Sequence, residues 1–155
     1  MKPSADAQAS ACFDNVGRKV SRAGGSLACG WAIWRLPGVY FEAEYHGVWR
    51  NRRGELVDVS PQINGARRIL FLPDPEALYN PLSYRSNILQ PASDDPLAVE
   101  FVQLANRRNA IQDAYREGVV RMAVFSPSDQ RKLTEIQLRL QAIWALLPAV
   151  ARSAR

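Results

Sequence analysis

Residues 30–61 read GWAIWRLPGVYFEAEYHGVWRNRRGELVDVSP and contain three of the four tryptophans and the only histidine of the chain. This segment predicts three consecutive β-strands, at 31–35, 39–50 and 55–60. The turns between them are predicted at 36–38, which includes Pro37-Gly38, and at 51–54, which ends in Gly54, because proline and glycine favour turns. A set of antiparallel hairpins is therefore the expected centre of the fold.

The second predicted strand has two unlike faces, because side chains of a β-strand point alternately to its two sides. The face predicted to join the core carries Val39, Phe41, Ala43, Tyr45 and Trp49, and the other carries Tyr40, Glu42, Glu44, His46 and Val48. Carboxylates and an imidazole are costly to bury unless they are paired. The second face is therefore predicted to lie in water or to line a site.

The flanking sequence predicts helices on both sides of the hairpins. A helix is expected at 10–23, with Ser10 as its N-cap and Gly24-Gly25 at its end. Two more are expected, at 95–115 with Gly118 as terminator, and from the N-cap Ser126 to Pro148. The apolar run at 68–72 predicts a central strand, and the proline-rich stretch 73–91 predicts an ordered loop anchored by Tyr79, Tyr84, Ile88 and Leu89. Together these elements predict an α+β protein, in which an N-terminal helix and two C-terminal helices pack on a mainly antiparallel sheet of four or five strands.

The composition and charge of the chain indicate its general class, its compartment and the partners to expect. The 155 residues are 47% apolar and 23% charged, with a net charge of +5, which is typical of one globular domain spanning 1–155. Residues 1–7 are polar and expected to be flexible. Neither a membrane-spanning apolar run nor a signal sequence is expected, which favours the cytoplasm and reduced cysteines. The arginine clusters are interpreted as solvated surface, so a nucleic-acid partner is not expected.

Three side chains could form a nucleophilic site. Cys12 falls in the first turn of the predicted N-terminal helix, where free N–H groups and the helix dipole favour a thiolate. His46 is the only imidazole available as its base, and Asp58, across a hairpin, is predicted to orient the ring. A cysteine nucleophile, a histidine base and a carboxylate form the logic of acyl transfer.

The order of helix-borne cysteine, strand-borne histidine and next-strand aspartate resembles the core of papain-like enzymes, including the transglutaminase-like and NlpC/P60-like groups. The corresponding segments are HGVW at 46–49 and DVSP at 58–61. The tryptophan stands one place further from the histidine than in the transglutaminase-like pattern. The resemblance implies Cys12 as nucleophile, His46 as general base and Asp58 as orienter. The segments GWAIW, EAEYHGVW, LVDVSP and RILFLPDP also resemble small bacterial proteins without an assigned activity.

Each candidate has an alternative interpretation. Cys12 could be a small buried apolar residue, His46 a paired strand residue and Asp58 a turn residue before Pro61. Cys29 is the rival nucleophile, and in an oxidising compartment the two cysteines could pair. Trp31, Trp34 and Glu44 are predicted to line a substrate groove, although the tryptophans could belong to the core.

Metal binding is a further alternative for the same strand face. Glu42, Glu44 and His46 are ligand types for a divalent ion. However, the rise of a strand separates side chains four residues apart by about 13 Å. The sequence therefore predicts a site without a metal.

The sequence thus predicts a small cysteine-dependent acyl-transfer enzyme, an amidase, peptidase or transamidase, which uses Cys12, His46 and Asp58. It requires no cofactor and acts on a peptide or amide substrate. The competing hypothesis is a non-catalytic interaction or inhibitor protein on an α+β scaffold, with a partner protein in place of the substrate. The oligomeric state stays open in both cases.

Overall fold

The computed structural model describes residues 2–63, 65–117 and 121–147. It has an α+β arrangement, with an N-terminal helix, a five-stranded sheet and two C-terminal helices, as predicted. The helices are α1 (Cys12–Ala23), α2 (Pro96–Asp113) and α3 (Pro127–Leu146). The strands are β1 (Ser26–Leu36), β2 (Tyr40–Arg50), β3 (Leu56–Val57), β4 (Leu70–Pro73), β5 (Ile88–Pro91), β6 (Arg116–Glu117) and β7 (Arg121–Met122).

The main sheet has the strand order β3-β2-β1-β4, and β5 also pairs with β2. Among the pairings with a described register, β1 is antiparallel to β4, and β2 is antiparallel to both β3 and β5. β5 pairs with the first residues of β2, and β3 pairs with the last. β6 and β7 form a separate antiparallel pair. The sequence-based prediction missed β5, which lies inside the stretch that was predicted as loop.

The chain divides into two compact units. One comprises residues 1–34 and 44–79, and the other comprises residues 35–43 and 80–155. The first unit contains α1, β3, β4 and most of β1 and β2. The second contains the two C-terminal helices and the hairpin residues 35–43. Every residue of the predicted nucleophilic site belongs to the first unit.

In the second unit, both C-terminal helices have side-chain caps at their starts, and Ser126 is the N-cap of the last helix, as predicted. Asp95 caps α2 by accepting a hydrogen bond from the N–H of Leu97, and Ser126 caps α3 by accepting one from the N–H of Asp129. The helices bury one side around a shared cluster formed by Leu36, Val39, Ala98, Ile143 and Leu147. Gly118 and Pro148, which were predicted to end them, lie outside the described residues.

Two predictions about the sheet were wrong. β4 is not central: among the described strands it ends the strand order and pairs with β1 alone. Leu70 and Leu72 point to the same side of this strand and are 68% and 58% exposed, so that side of β4 is largely uncovered. On β2, Phe41 of the predicted core face is exposed, whereas His46 and Val48 of the polar face are buried. An apolar run or an alternating pattern does not determine which side the rest of the protein covers.

Two of the predicted loop anchors were also wrong. Within 73–91, Leu89 is buried, but Tyr84 and Ile88 are exposed; Tyr79 is also exposed, yet its ring stacks on Phe13. None of the helices in the described ranges is long and apolar enough to cross a membrane.

Candidate active site

Cys12 is the first residue of α1 and is half-buried. The predicted cap, Ser10, was wrong: Ser10 has a φ of 60°, and the N-cap is Ala11, which makes no side-chain capping hydrogen bond. The first helical hydrogen bond runs from the N–H of Asn15 to the carbonyl of Ala11. The N–H groups of a first helical turn have no helical acceptor, and here the cap residue supplies no side-chain acceptor either. Cys12 therefore lies beside backbone donors that can bind an anion.

Gly47, next to the histidine, allows α1 to approach β2. A Cβ atom placed on Gly47 would lie 2.8 Å from Cδ1 of Phe13 and 3.0 Å from Cδ1 of Leu27. Phe13 follows Cys12 on the helix, so the contact brings the start of α1 against the strand segment that carries His46. At the other end of α1, the carbonyl of Gly24 accepts a hydrogen bond of 2.8 Å from Nε1 of Trp49. Both ends of the helix are thus held against β2.

We expect Gly47→Ala to loosen this end of α1. The added methyl group must displace the ring of Phe13, and such overpacking costs about 1–3 kcal/mol of unfolding free energy. Chemical denaturation measures that cost. Gly17→Ala is the matched control, because no atom lies within 4 Å of a Cβ placed on this mid-helix glycine. Equal or greater stability of Gly47→Ala would show that Phe13 does not depend on the missing side chain.

His46 is buried, with 3% of its surface exposed. Its Nε2 lies 3.4 Å from Oδ1 of Asp58. That separation makes an ion pair when the ring is protonated, but Nε2 has no hydrogen-bond partner among the described residues. Burial lowers the pKa of His46, but the neighbouring Asp58 and Cys12 outweigh this effect and raise it to about 10. Asp58 and Cys12 are therefore the two groups that favour the charged form of this imidazole.

Asp58 is 5% exposed, and its carboxylate accepts hydrogen bonds from two groups. Its Oδ1 accepts a hydrogen bond of 2.9 Å from the N–H of Ser60, and its Oδ2 accepts one of 2.9 Å from Nε2 of Gln62. Burial raises the pKa of Asp58, but His46, Ser60 and Gln62 together lower it. The carboxylate is thus stabilised in its charged form and fixed in direction toward the ring.

The predicted groove residues have other partners. Nε1 of Trp31 donates to Oδ2 of Asp74 at 3.0 Å, and Nε1 of Trp34 donates to Oε2 of Glu44 at 2.7 Å. Trp34 and Glu44 are therefore joined to each other across the β1–β2 hairpin. Trp31 is linked to the start of α1 through aromatic contacts, since its ring centroid lies 5.6 Å from that of Tyr45, and Tyr45 lies 5.0 Å from Phe13.

Tyr79 is a neighbour of Cys12 that sequence reasoning placed only as a loop anchor. Its ring stacks on Phe13, with centroids 4.1 Å apart and planes inclined by 8°. Burial raises the pKa of Tyr79, and the charges of Asp14 and Cys12 raise it further. The residue lies in a proline-rich stretch without a motif, and no sequence signal connects it to Cys12.

The rival nucleophile Cys29 and the acidic residues considered as metal ligands have partners elsewhere in the structure. Cys29 lies on β1, is half-buried, and its carbonyl accepts a hydrogen bond from the N–H of Asp74. Glu42 accepts a hydrogen bond from Asn87, while Glu44 is bound to Trp34. In the part of the chain that the structure describes, no three histidine, cysteine, aspartate or glutamate side chains are placed to hold a metal ion.

Comparison of the chain with models of protein families, with curated proteins and with solved structures gave no match. The papain-like relationship therefore stays a prediction, and the arguments that follow depend on the geometry of Cys12, His46 and Asp58.

Proposed function

We propose that the protein is a small cysteine-dependent acyl-transfer enzyme, an amidase, peptidase or transamidase. The observation that carries this proposal is a set of three side chains: a half-buried thiol at a helix start, a buried imidazole whose pKa that thiol raises, and a buried carboxylate 3.4 Å from that imidazole. Such an order, from nucleophile to base to orienting group, suits nucleophilic catalysis. Nε2 of His46 faces Asp58, which leaves Nδ1 as the nitrogen for the thiol.

The proposed reaction begins with a proton on His46 and a thiolate on Cys12. The thiolate attacks the carbonyl carbon of an amide, a carbon–sulfur bond forms, and the carbonyl π electrons move to oxygen. His46 then gives its proton to the amide nitrogen as the carbon–nitrogen bond breaks, which leaves a thioester and a free amine. Water or a second amine attacks the thioester, His46 takes up a proton, and the thiolate leaves.

The start of α1 supports the charged steps. The uncapped N–H groups beside Cys12 favour a thiolate before attack and can donate to the oxyanion that forms during it. Asp58 keeps the ring of His46 in one orientation and favours its protonated form. Because Ser60 and Gln62 already hold the carboxylate, little reorganisation is needed when the charge on the imidazole changes.

The test compares the two cysteines within one chain. We expect iodoacetamide to modify Cys12 about ten times faster than Cys29 at pH 6, because only Cys12 has an imidazolium to stabilise a thiolate. Mass mapping of the labelled peptides measures both rates in the same sample. In His46→Ala the difference should disappear. Equal rates in the native protein, together with equal rates after denaturation in urea, would overturn the proposal.

One observation favours a second function. Ile63, Leu70, Leu72 and Leu78 expose most of their apolar side chains within the first unit. Exposed apolar side chains that form a contiguous patch are a feature of interaction surfaces. A non-catalytic binding protein would use these side chains for contact with its partner and would show no preferential alkylation of Cys12. The comparison of alkylation rates at Cys12 and Cys29 therefore separates the two functions.

A further inference from the structure

Asn15 is a buried amide one helical turn after Cys12. It is 2% exposed, and a buried amide is costly unless its hydrogen-bonding groups are satisfied. Its Oδ1 accepts from the N–H of Gln8 at 3.0 Å and from the guanidinium of Arg18. Its Nδ2 donates to the carbonyl of Gln8 at 2.7 Å and to Oγ of Ser60 at 3.0 Å. The side chain thus clamps the chain that leads into α1 and also reaches the segment that carries Asp58.

Ser60 completes the connection. It is buried, its Oγ accepts from Asn15, and its backbone N–H donates to Oδ1 of Asp58. The oxygen bound by Ser60 is the same Oδ1 that faces His46. A continuous path of hydrogen bonds therefore runs from the helix that carries the thiol to the carboxylate on the far side of the imidazole.

We propose that Asn15 and Ser60 form a bracket that sets the distance between Cys12 and Asp58, so that both act on His46 at once. Asn15 is then a positioning residue, which affects the site through Ser60. This inference rests on the proposed function, since a bracket between thiol and carboxylate matters to chemistry only if the three side chains work together. The geometric reason is that the thiol and the carboxylate lie on different elements, and the hydrogen bond from Asn15 to Ser60 joins these two elements directly.

The test uses Ser60→Ala, which removes only the hydroxyl and keeps the N–H that binds Asp58. We expect the pKa of His46 to move toward the usual value and the alkylation of Cys12 at pH 6 to slow by roughly tenfold, since a small misplacement of reacting groups is costly in rate. NMR titration of the single histidine and peptide mapping provide the two readouts. Ser21→Ala is the matched control, because its hydroxyl bonds Gly17 on the same helix outside the bracket.

Asn15→Ala is the second variant and should produce the same two changes. If both variants lower the melting temperature but leave the titration and the pH dependence of alkylation as in the native protein, Asn15 has only a structural role and the inference is overturned. If Asn15→Ala does not fold, the His46 titration and the Cys12 alkylation of Ser60→Ala alone decide whether the inference holds. If native Cys12 proves no more reactive than Cys29, the proposed function fails, but the titration of His46 in Ser60→Ala still tests the bracket.

Discussion

Replacement of Cys12 by serine is expected to abolish acyl transfer by the protein while leaving its fold intact. The proposed nucleophile is a thiolate, and a serine hydroxyl in the same place stays protonated at neutral pH, so the rate of acylation should fall about a thousandfold or more. Because Cys12 is half-buried and serine is of similar size, the free energy of unfolding should change by no more than about 1 kcal/mol.

The release of p-nitrophenol from p-nitrophenyl acetate measures the acylation step without knowledge of the natural substrate. The native protein should show a rapid burst of one product molecule per chain, which Cys12→Ser lacks. Cys29→Ser is the control, since it removes the only other thiol. A burst that survives in Cys12→Ser and is lost in Cys29→Ser would transfer the role to Cys29, and a burst that survives in both would exclude a cysteine enzyme.

The substitution Asp58→Asn should have the second-largest effect. Asparagine keeps an oxygen for the N–H of Ser60 but removes the charge that faces His46, so the pKa of His46 should fall. We expect the acylation rate to drop by about 10³-fold, because the ring loses both its orientation and the stabilisation of its charged form. Removal of one partner from a buried ion pair should also cost about 3 kcal/mol of unfolding free energy.

The pH dependence of this loss has a definite sign. The pKa of His46 is raised from 6.5 to about 10 on folding, so its contribution to stability is complete below pH 6.5 and fades as pH rises toward 10. The pKa of Asp58 is lowered from 3.8, so its contribution is complete above pH 3.8 and is lost at lower pH. The native protein should therefore exceed Asp58→Asn in stability most between pH 3.8 and 6.5.

Urea denaturation across this pH range and NMR titration of the single histidine measure both effects. Asp74→Asn is the matched control for the titration, because Asp74 also binds backbone N–H groups and a side chain, namely Trp31, at another place in the first unit. An unchanged His46 titration in Asp58→Asn would show that the carboxylate does not influence the ring, and the proposed triad would then be wrong.

Local signals allowed much of the fold to be predicted. Ser126-Pro127 marks the start of α3, and Asp95 marks the start of α2, because capping is decided by groups within three residues of each other. Gly24 ends α1 with a φ of 70°, as its sequence position predicts. The β1–β2 hairpin also appears around Pro37-Gly38. In each case the relevant hydrogen bonds and steric limits act between near neighbours in the chain.

Other features depended on residues far away in sequence. The edge position of β4 and the burial of His46 follow from which elements cover each strand, and an alternating pattern on a single strand carries no such information. Ser10 looked like a cap, yet the incoming chain is clamped by Asn15 instead. The role of Asn15 depends on Ser60, and no local rule connects these two residues.

The candidate site depends both on local sequence signals and on contacts between residues that are far apart in sequence. The sequence alone determined that the chain has one imidazole, two thiols and a carboxylate on the strand predicted next to the histidine, and that Cys12 falls at a helix start. Only the tertiary structure decided that the start of α1, which carries Cys12, lies against the strand that carries His46. The physical reason is long-range packing: Gly47 has no side chain to hold Phe13 away, so the start of α1 comes against β2 beside the buried ring.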